Sequence, residues 1–372
     1  TPANSVLADS QSLQTVDVDN DGDIDLATLN RTQGSISVLR NRGDGTFFNA
    51  LSFSVGEFPT VLRFADLDGD LLPEAIVNQT ATTKNISVLQ NLGGGFFAAP
   101  NSTPFDNTPT TFAVEDVDAD GDLDIVVANS GNGQKVSFHN SITVLANDGN
   151  GHLTKASELV TGLDGFVSAV PASVAMGDVN GDGHQDVVVV EADFSSSPRG
   201  AGWIAFGNGN GTFRNAQFLD VRPGPRQVYI QDLNGDDHLD LLINSDDDTF
   251  SQWINSGDGT FQRHVELVGV PGAAFGLVAD FDDDGDFDVI RLSLGNEGSV
   301  LSGIERIPGQ LEVFRNDGAG RLDGGASWRV GPRPQGLAYG DFDLDGDVDI
   351  AVANSGSSQG TAVGAEIGRA HV

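Results

Sequence analysis

Acidic residues recur at a fixed spacing along this chain of 372 residues. A nine-residue pattern, D-x-[DN]-x-D-x-x-x-[DE], occurs seven times and begins at Asp17, Asp66, Asp116, Asp178, Asp232, Asp280 and Asp341. Alternate residues of a tight turn can point inward together, and glycine, which is common at position 6, permits the chain reversal. Carboxylate and amide oxygens grouped in this way suit a hard cation such as Ca²⁺. The pattern therefore predicts up to seven calcium-binding turns.

We number the turns 1 to 7, and they span residues 17–25, 66–74, 116–124, 178–186, 232–240, 280–288 and 341–349. Positions 1, 3, 5 and 9 are expected to supply side-chain oxygens, and position 7 a main-chain carbonyl. The predicted calcium-binding residues are Asp17, Asp19, Asp21, Asp23, Asp25, Asp66, Asp68, Asp70, Glu74, Asp116, Asp118, Asp120, Asp122, Asp124, Asp178, Asn180, Asp182, His184, Asp186, Asp232, Asn234, Asp236, His238, Asp240, Asp280, Asp282, Asp284, Asp286, Asp288, Asp341, Asp343, Asp345, Asp347 and Asp349. Turns 2 and 5 fit less well, because turn 2 has Leu71 and turn 5 has Asp237 where most turns have glycine.

Two alternatives compete with this prediction. An EF-hand shares the D-x-D-x-D-G opening but requires an acidic residue at position 12. The residues at that position are Thr28, Val77, Val127, Val189, Ile243, Arg291 and Val352, which excludes the EF-hand. An ordinary solvated turn with Asx hydrogen bonds explains any single copy. Seven copies with acids at the same positions favour metal binding.

Each acidic turn is followed by a short apolar run, as at residues 125–127, 187–190 and 241–243. Continuous apolar runs of this length are typical of strands that are buried on both faces. A second pattern, N-x-G-x-G-T-F or a close variant, follows and predicts a glycine-rich hairpin. The predicted anchors of these hairpins are Phe47, Phe96, Phe213 and Phe261.

Each repeat is therefore interpreted as four strands, A to D, with the acidic turn between A and B and the hairpin between C and D. Four-stranded sheets packed face to face around an axis bury both faces of every sheet. We predict an all-β protein, a seven-bladed β-propeller of four-stranded antiparallel blades. The last blade is expected to be incomplete at its C-terminal end and to be closed by the N-terminal strand.

The propeller is predicted to occupy residues 1–364 as a single domain. Residues 366–372 (EIGRAHV) are interpreted as a non-native tail and excluded from the fold. Seven A–B units are accompanied by only six C–D hairpins, so we expect residues 1–8 to supply the outer strand of the seventh blade. Strand C of that blade is predicted to begin near residues 361–363.

Turn 1 (DVDNDGDID) and turn 4 (DVNGDGHQD), each followed by a hydrophobic strand, resemble FG-GAP/VCBS repeats. Such repeats occur in the propellers of integrin α-subunits, in bacterial extracellular proteins and in a group of fungal lectins. The resemblance covers nearly the whole chain and implies a calcium-binding seven-bladed propeller. It implies little about the ligand, because the family includes adhesion, sugar-binding and scaffold proteins.

Composition excludes several classes of protein. There are 54 Asp and Glu residues against 19 Lys and Arg, a formal net charge of −35, so the chain lacks the basic face that nucleic-acid binding needs. The absence of cysteine excludes disulfides and thiolate metal sites. No apolar run approaches the roughly 18 residues of a membrane helix, so we expect no membrane insertion.

The long irregular segments 129–141, 191–202 and 291–310 are predicted B–C loops on the face opposite the acidic turns. Variable loops on a rigid scaffold often bind ligands, so this face is the predicted site for a glycan or protein ligand. We expect a monomeric, secreted or cell-surface module, since extracellular modules bind Ca²⁺ at about 10⁻⁴–10⁻³ M. The alternatives are a structural spacer of a larger secreted protein and, less favoured, a polysaccharide-processing propeller enzyme.

Single aromatic and histidine residues give weaker signals. Trp203 and Trp253 are expected to lie in the core between blades rather than in a sugar site. Tyr229 and Tyr339 fall on strand A, near the axis, and are candidates for the lining of a central channel. The six histidines show no spacing typical of a catalytic or zinc site, so we predict no enzymatic activity.

Overall fold

The computed structural model describes eleven segments of the chain, namely residues 10–131, 140–161, 169–193, 200–214, 216–246, 249–268, 273–282, 284–293, 309–331, 334–354 and 365–368. The regular secondary structure of these segments is β-strand, in seven antiparallel sheets. Each sheet is one blade, and the blades are numbered in chain order.

The first four blades contain four strands each. Their bounds are, for blade 1, β1 (Ser10–Val16), β2 (Asp25–Asn30), β3 (Ser35–Leu39) and β4 (Leu51–Ser54); for blade 2, β5 (Pro59–Ala65), β6 (Glu74–Gln79), β7 (Asn85–Leu89) and β8 (Asn101–Pro104); for blade 3, β9 (Thr108–Glu115), β10 (Asp124–Ser130), β11 (Ser141–Asn147) and β12 (Leu153–Val160); and for blade 4, β13 (Ala169–Gly177), β14 (Asp186–Asp193), β15 (Gly200–Ala205) and β16 (Gln217–Leu219).

Blades 5 and 6 also have four strands, and blade 7 has three. Their bounds are, for blade 5, β17 (Pro225–Gln231), β18 (Asp240–Ser245), β19 (Thr249–Asn255) and β20 (Phe261–Val268); for blade 6, β21 (Ala273–Ala279), β22 (Asp288–Ser293), β23 (Gln310–Asn316) and β24 (Leu322–Arg329); and for blade 7, β25 (Pro334–Gly340), β26 (Asp349–Asn354) and β27 (Ala365–Gly368). The predicted all-β propeller of four-stranded antiparallel blades is thus confirmed for six blades, and the seventh is partial.

The first strands of the blades form a closed ring. Each contacts the next in the order β1, β5, β9, β13, β17, β21 and β25, and β25 also contacts β1. In blade 7, β27 pairs with β26, so residues 366–368 of the segment that we excluded from the fold lie in this sheet. The predicted closing strand at residues 1–8 and the predicted start of strand C at residues 361–363 lie outside the described residues.

The second strand of each blade forms the centre of the core, as the apolar runs predict. All residues of β2, β6, β18, β22 and β26 are buried. Hydrophobic clusters fill the spaces between blades; for example, Leu26 of blade 1 packs with Phe342 of blade 7. Burial of a leucine or phenylalanine contributes about 1.5–3 kcal/mol, so these clusters hold neighbouring blades together. Trp203 and Trp253 are buried, which confirms the prediction that they belong to the core.

The glycine-rich hairpins connect strands C and D and are closed by bridges between Asn41 and Phe47 and between Asn91 and Phe97. The prediction that Phe96 anchors the second hairpin was wrong. Phe97 occupies the position of the pattern's final phenylalanine and is 7% exposed, whereas Phe96 is 50% exposed. The physical reason is strand alternation, since adjacent side chains point to opposite faces and only one of the two can enter the core.

Candidate functional sites

The seven acidic turns all connect a first strand to a second strand, so they lie on the same face of the ring. Turn 1 shows how the turn is held. The two carboxylate oxygens of Asp17 accept hydrogen bonds from the N–H groups of Asp21 (3.2 Å) and Gly22 (2.9 Å). One oxygen of Asp21 accepts the N–H of Asp23 (3.0 Å). Positions 1 and 5 therefore fold the turn as well as offering oxygens to a cation.

Two positions of the turns, 4 and 6, adopt the left-handed backbone region wherever the structure describes them. Position 6 does so at Gly22 (φ 92°), as the sequence pattern indicates. Position 4 also does so, and its members are Asn20, Gly69, Ala119, Gly181, Gly235 and Leu344. The pattern did not reveal position 4, because Ala119 and Leu344 are not residues that usually mark this conformation. The glycines and the asparagine at this position in the other four turns were the only available signal.

Carboxylate oxygens converge in five of the turns. In turn 1, ligand atoms of Asp17, Asp19 and Asp25 lie within 4.8 Å of one another. The same spacing is found among Asp116, Asp118 and Asp124 in turn 3, Asp280, Asp282 and Asp288 in turn 6, and Asp341, Asp343 and Asp349 in turn 7. Turns 4 and 5 carry Asn180 and Asn234 at position 3, so their third oxygen is an amide oxygen.

Turn 2 gathers its oxygens differently. Its cluster consists of Asp66, Asp68 and Asp70, and Glu74 is not a member. The carboxylate of Glu74 instead accepts the N–H groups of Leu67 (2.8 Å) and Asn91 (3.3 Å).

A buried carboxylate oxygen at position 3 has no protein partner in three turns. These atoms are Oδ1 of Asp19, Asp118 and Asp282. A buried polar atom without a partner costs about 1–3 kcal/mol, and more when it is charged. A bound cation would satisfy all three atoms. This feature, together with the all-oxygen donor set, fits Ca²⁺.

Position 9 braces each turn against its blade. In turn 1, the buried carboxylate of Asp25 accepts the N–H of Val18 (3.0 Å) and of Asn41 (2.6 Å). Equivalent pairs of bonds reach Asp124, Asp186, Asp240 and Asp288. The predicted ligand at position 9 therefore ties the acidic turn to the start of the hairpin, whether or not it also contacts a cation.

Burial raises the pKa values of carboxylates at position 9. Desolvation raises the pKa of Asp25 to about 7, although the two backbone N–H groups oppose the shift. The same cause raises the pKa values of Asp124, Asp186 and Asp240 to about 6. Desolvation and the neighbouring carboxylates also raise the pKa of Asp118. Arginines offset part of the negative charge at Asp19 (Arg40, 3.3 Å), Asp182 (Arg214, 3.1 Å) and Asp282 (Arg315, 3.0 Å). A cation would supply further positive charge to each turn.

Position 7 contacts the hairpin through its side chain. A Cβ built on Gly43 would lie 2.7 Å from Oδ2 of Asp23, and one on Gly209 would lie 2.3 Å from Nδ1 of His184. Each of these residues is the first glycine of its N-x-G-x-G pattern. A side chain at this position would clash with the residue at position 7 of the turn, so the glycine allows the hairpin to pack closely on the turn. At position 7, His184 accordingly lies against the hairpin.

The asparagine that opens most hairpins links adjacent blades. Asn41 donates to the carbonyl oxygens of Ile24 in its own blade (3.0 Å) and Phe342 in blade 7 (2.9 Å). Asn91, Asn147, Asn255 and Asn316 make the same pair of bonds to their own turn and to the preceding turn in space. The sequence identified these asparagines as part of a hairpin pattern. It did not reveal that their side chains link these acidic turns to the turns of neighbouring blades.

Turn 2 departs from the others in a way that affects the surface. Leu71 occupies position 6 with φ 71° and is 70% exposed. In the adjoining hairpin, Leu92 is 62% exposed and Phe96 also faces solvent. We call Phe48, Leu71, Leu92 and Phe96 the apolar patch. No other hairpin has apolar residues at both positions equivalent to Leu92 and Phe96.

Contacts between blades 1 and 2 connect the members of the apolar patch. A Cβ on Gly93 would lie 3.7 Å from Leu72, and one on Gly95 would lie 2.7 Å from Cδ of Arg40. The guanidinium carbon of Arg40 is 5.1 Å from the centroid of the Phe48 ring. The hairpin of blade 2 therefore sits between turn 2 and Phe48. The guanidinium carbon of Arg42 also lies 4.1 Å from that centroid, so two arginines flank Phe48 within the patch. Several exposed apolar side chains on neighbouring loops are typical of interaction sites.

The predicted binding loops on the opposite face are described only in part. Residues 132–139, 194–199 and 294–308, which form the middle of the three long B–C loops, lie outside the described residues. In the part of the chain that the structure describes, no helix is long and apolar enough to cross a membrane.

Comparisons with known proteins agree with this fold. A family model described as FG-GAP-like repeat matches residues 17–77 and 116–189, and one described as FG-GAP repeat matches residues 170–211. No curated protein matches the sequence.

Two solved structures share the architecture. A chain from the crystal structure of BBS1N in complex with ARL6DN, soaked with mercury, aligns with a TM-score of 0.62 at 12% identity, covering 95% of this chain and 91% of that chain. A lead-soaked counterpart gives a TM-score of 0.60 with the same identity and coverage. At this identity the likeness shows the fold alone. The family models therefore identify FG-GAP and FG-GAP-like repeats within residues 17–211 of this β-propeller.

Proposed function

We propose that this propeller is a non-catalytic, calcium-stabilised module that binds a protein partner on the face of the acidic turns. The observation that carries the proposal is the apolar patch. Leu71 is exposed and also holds a left-handed φ, an arrangement that costs about 1–2 kcal/mol for a residue with a Cβ. A surface that combines backbone strain with exposed leucine and phenylalanine is better explained by a partner than by folding.

Calcium is proposed as the ion that fixes this face. The unpartnered Oδ1 atoms of Asp19, Asp118 and Asp282 and the excess of carboxylates over arginines in the turns support it. A filled turn is held from both sides, by the ion and by the brace at position 9. The hairpins that carry Phe48 and Phe96 begin at residues bonded to these braces, so calcium would also hold the apolar patch in place.

The partner is expected to present an apolar side chain surrounded by basic residues. Complementarity to a chain of net charge −35 requires positive charge on the partner. The likeness to a propeller solved in a protein complex is consistent with a protein ligand. A glycan ligand is less well supported, because Trp203 and Trp253 are buried and offer no exposed ring for stacking on a sugar.

An extracellular location follows from the proposed calcium chemistry. Extracellular modules bind Ca²⁺ at about 10⁻⁴–10⁻³ M, far above cytosolic free concentrations. In a low-calcium compartment the acidic turns would repel one another and the rim would be weakened. The proposal therefore includes secretion or display at a cell surface.

Selection from a library of random displayed peptides tests the proposed surface without knowledge of the partner. We expect the calcium-loaded protein to enrich peptides that combine basic residues with leucine or an aromatic residue. The double variant Leu92→Ser/Phe96→Ser should lose binding to these peptides. Chelation with EDTA should weaken binding by the wild-type protein, because the hairpins lose their support.

The matched control is Phe58→Ser. Phe58 is 47% exposed but precedes the first strand of blade 2, on the face opposite the acidic turns. This variant should bind the selected peptides as the wild-type protein does. Equal loss in the control and the patch variant, or full retention in the patch variant, would contradict the proposed surface.

A further inference from the structure

A cavity of about 520 Å³ lies at the centre of the ring. First strands of all seven blades line it, including Ser12, Thr60, Thr111, Ser173 and Gln227 together with residues of β21 and β25. Asp246, which follows β18, also lines it. The cavity therefore lies toward the face opposite the acidic turns. Its volume falls in the range of about 300–1,000 Å³ that is usual for small-ligand sites.

The lining of the cavity mixes polar and apolar groups and differs in charge from the rest of the molecule. Hydroxyl and amide side chains alternate with aliphatic ones, and two arginines are present, Arg63 and Arg226. Arg226 forms an ion pair with Asp246. Arg63 donates to the carbonyl of Leu62 (3.1 Å), and no carboxylate among the described residues lies within ion-pair distance of it. One uncompensated positive charge thus faces the central cavity of a strongly acidic protein.

The side chain of Arg63 is accessible to solvent inside the cavity, and strands of the other blades surround it. Partial desolvation by these walls lowers the pKa of its guanidinium, and the nearby Tyr229 is the other group that acts on it. The hydroxyl of Tyr229 donates to the carbonyl of Gly276 in the neighbouring blade 6, so the phenol is fixed beside the cavity. Tyr229 lines the channel as the sequence predicts, whereas Tyr339 packs edge-on against Phe281 at 5.6 Å. Because Arg63 is accessible and has no carboxylate partner among the described residues, its guanidinium is free to bind a negatively charged group of a ligand.

We propose that the central cavity binds a small hydroxylated carboxylate through Arg63. The planar guanidinium matches a carboxylate in two parallel hydrogen bonds. One negative charge balances the single free positive charge, whereas a phosphate dianion would leave an excess charge in the channel. Ser12, Thr111, Ser173 and Gln227 offer donors and acceptors suited to the hydroxyl groups of such a ligand. This site is separate from the apolar patch and does not depend on it.

Isothermal titration with D-glucuronate, using D-glucose as its neutral counterpart, tests the site. Calcium is kept in the buffer so that the turns are in the same state in all samples. Saturable binding of glucuronate by the wild-type protein, with weaker or no binding of glucose, is expected. Arg63→Gln should reduce the affinity for glucuronate by about tenfold or more, since a hydrogen bond to a charged group contributes that much.

The matched control is Arg31→Gln, which makes the same charge change in the turn after β2, on the same face but outside the cavity lining. Arg31→Gln should bind glucuronate as the wild-type protein does. Thermal melts without ligand separate binding from folding, and Arg63→Gln should melt near the wild-type midpoint because Arg63 is solvent-exposed and forms no ion pair among the described residues. Absence of saturable glucuronate binding, equal binding of glucose, or unchanged affinity in Arg63→Gln would overturn the proposal.

Discussion

Turns 2 and 3 share one hydrogen-bond scheme but differ in their chemistry. In turn 2, Asp66 accepts the N–H groups of Gly69 (2.8 Å) and Leu71 (2.9 Å). In turn 3, Asp116 accepts the equivalent N–H groups of Ala119 (2.8 Å) and Gly121 (3.1 Å). The braces at position 9 are also equivalent, although turn 2 uses glutamate.

The two turns diverge at positions 3 and 6. Asp118 of turn 3 has a buried oxygen without a protein partner. Asp68 of turn 2 accepts hydrogen bonds from Gln90 and from the N–H of Asp70, both at 3.3 Å. Leu71 replaces the glycine of turn 3 and projects into solvent. The comparison teaches that positions 1, 5 and 9 shape the turn. Position 3 determines how many oxygens remain free for a cation, and position 6 determines whether an apolar side chain reaches the surface.

Removal of calcium should have the largest effect, because it acts on every filled turn at once. Each site filled at a hundredfold excess over its dissociation constant contributes about 2.7 kcal/mol of stability. We expect EDTA to lower the thermal midpoint of the wild-type protein substantially. Scanning calorimetry in calcium and in EDTA measures the difference. An identical melting curve in both buffers would refute calcium as a stabilising ion.

The next largest effect is expected from Asp118→Ala in turn 3. It should lower the calcium-dependent part of the stability by about the contribution of one site, roughly 2.7 kcal/mol under the same conditions. Asp68→Ala is the matched change in turn 2. It should lower the calcium-dependent part of the stability by less, because Asp68 already accepts hydrogen bonds from protein groups. The readout is the difference between melts with and without calcium. Equal losses in the two variants would show that position 3 does not distinguish the turns.

A smaller effect is expected from Asn147→Ala, which breaks the link between turns 2 and 3. Asn147 donates to the carbonyl oxygens of Leu67 (2.7 Å) and Leu123 (3.1 Å). Loss of these two hydrogen bonds should cost about 1–3 kcal/mol, at about 0.5–1.5 kcal/mol per bond, although the carbonyl of Leu67 keeps a bond from the N–H of Gly151 (3.1 Å). Chemical denaturation in calcium measures this loss. Asn150→Ala, an exposed change in the same hairpin, should cost much less. Comparable costs for the two variants would argue against the blade-linking role.

The smallest effect is expected from exchange at position 6. Leu71→Gly should raise the free energy of unfolding by up to about 1–2 kcal/mol, because it relieves the left-handed strain. Gly121→Leu in turn 3 should lower it by a similar amount, since its φ is 98°. Denaturation of both variants in calcium gives the two values. A destabilised Leu71→Gly variant would mean that Leu71 makes a stabilising contact that outweighs its strain.

Much of the fold could be predicted from local pattern. The repeated acidic turns, the apolar runs of the second strands and the glycine-rich hairpins indicated four-stranded blades around an axis. The anchor of the second hairpin was misassigned, because Phe96 and Phe97 are adjacent and only the pairing register decides which one enters the core. The calcium-binding residues remain a prediction, although their carboxylates do converge in five turns.

By itself, the sequence determined the type and number of the repeats. The acidic turns and the apolar runs are formed by residues close together in the chain, so their pattern can be recognised without the tertiary structure. Tertiary structure alone decided three features. Asn147 reaches across to Leu67, 80 positions away in the chain. Leu71, Leu92 and Phe96 become one surface only when turn and hairpin pack together. Arg63 becomes an uncompensated charge only when seven strands close a ring around it, because its neighbours there come from blades distant in sequence.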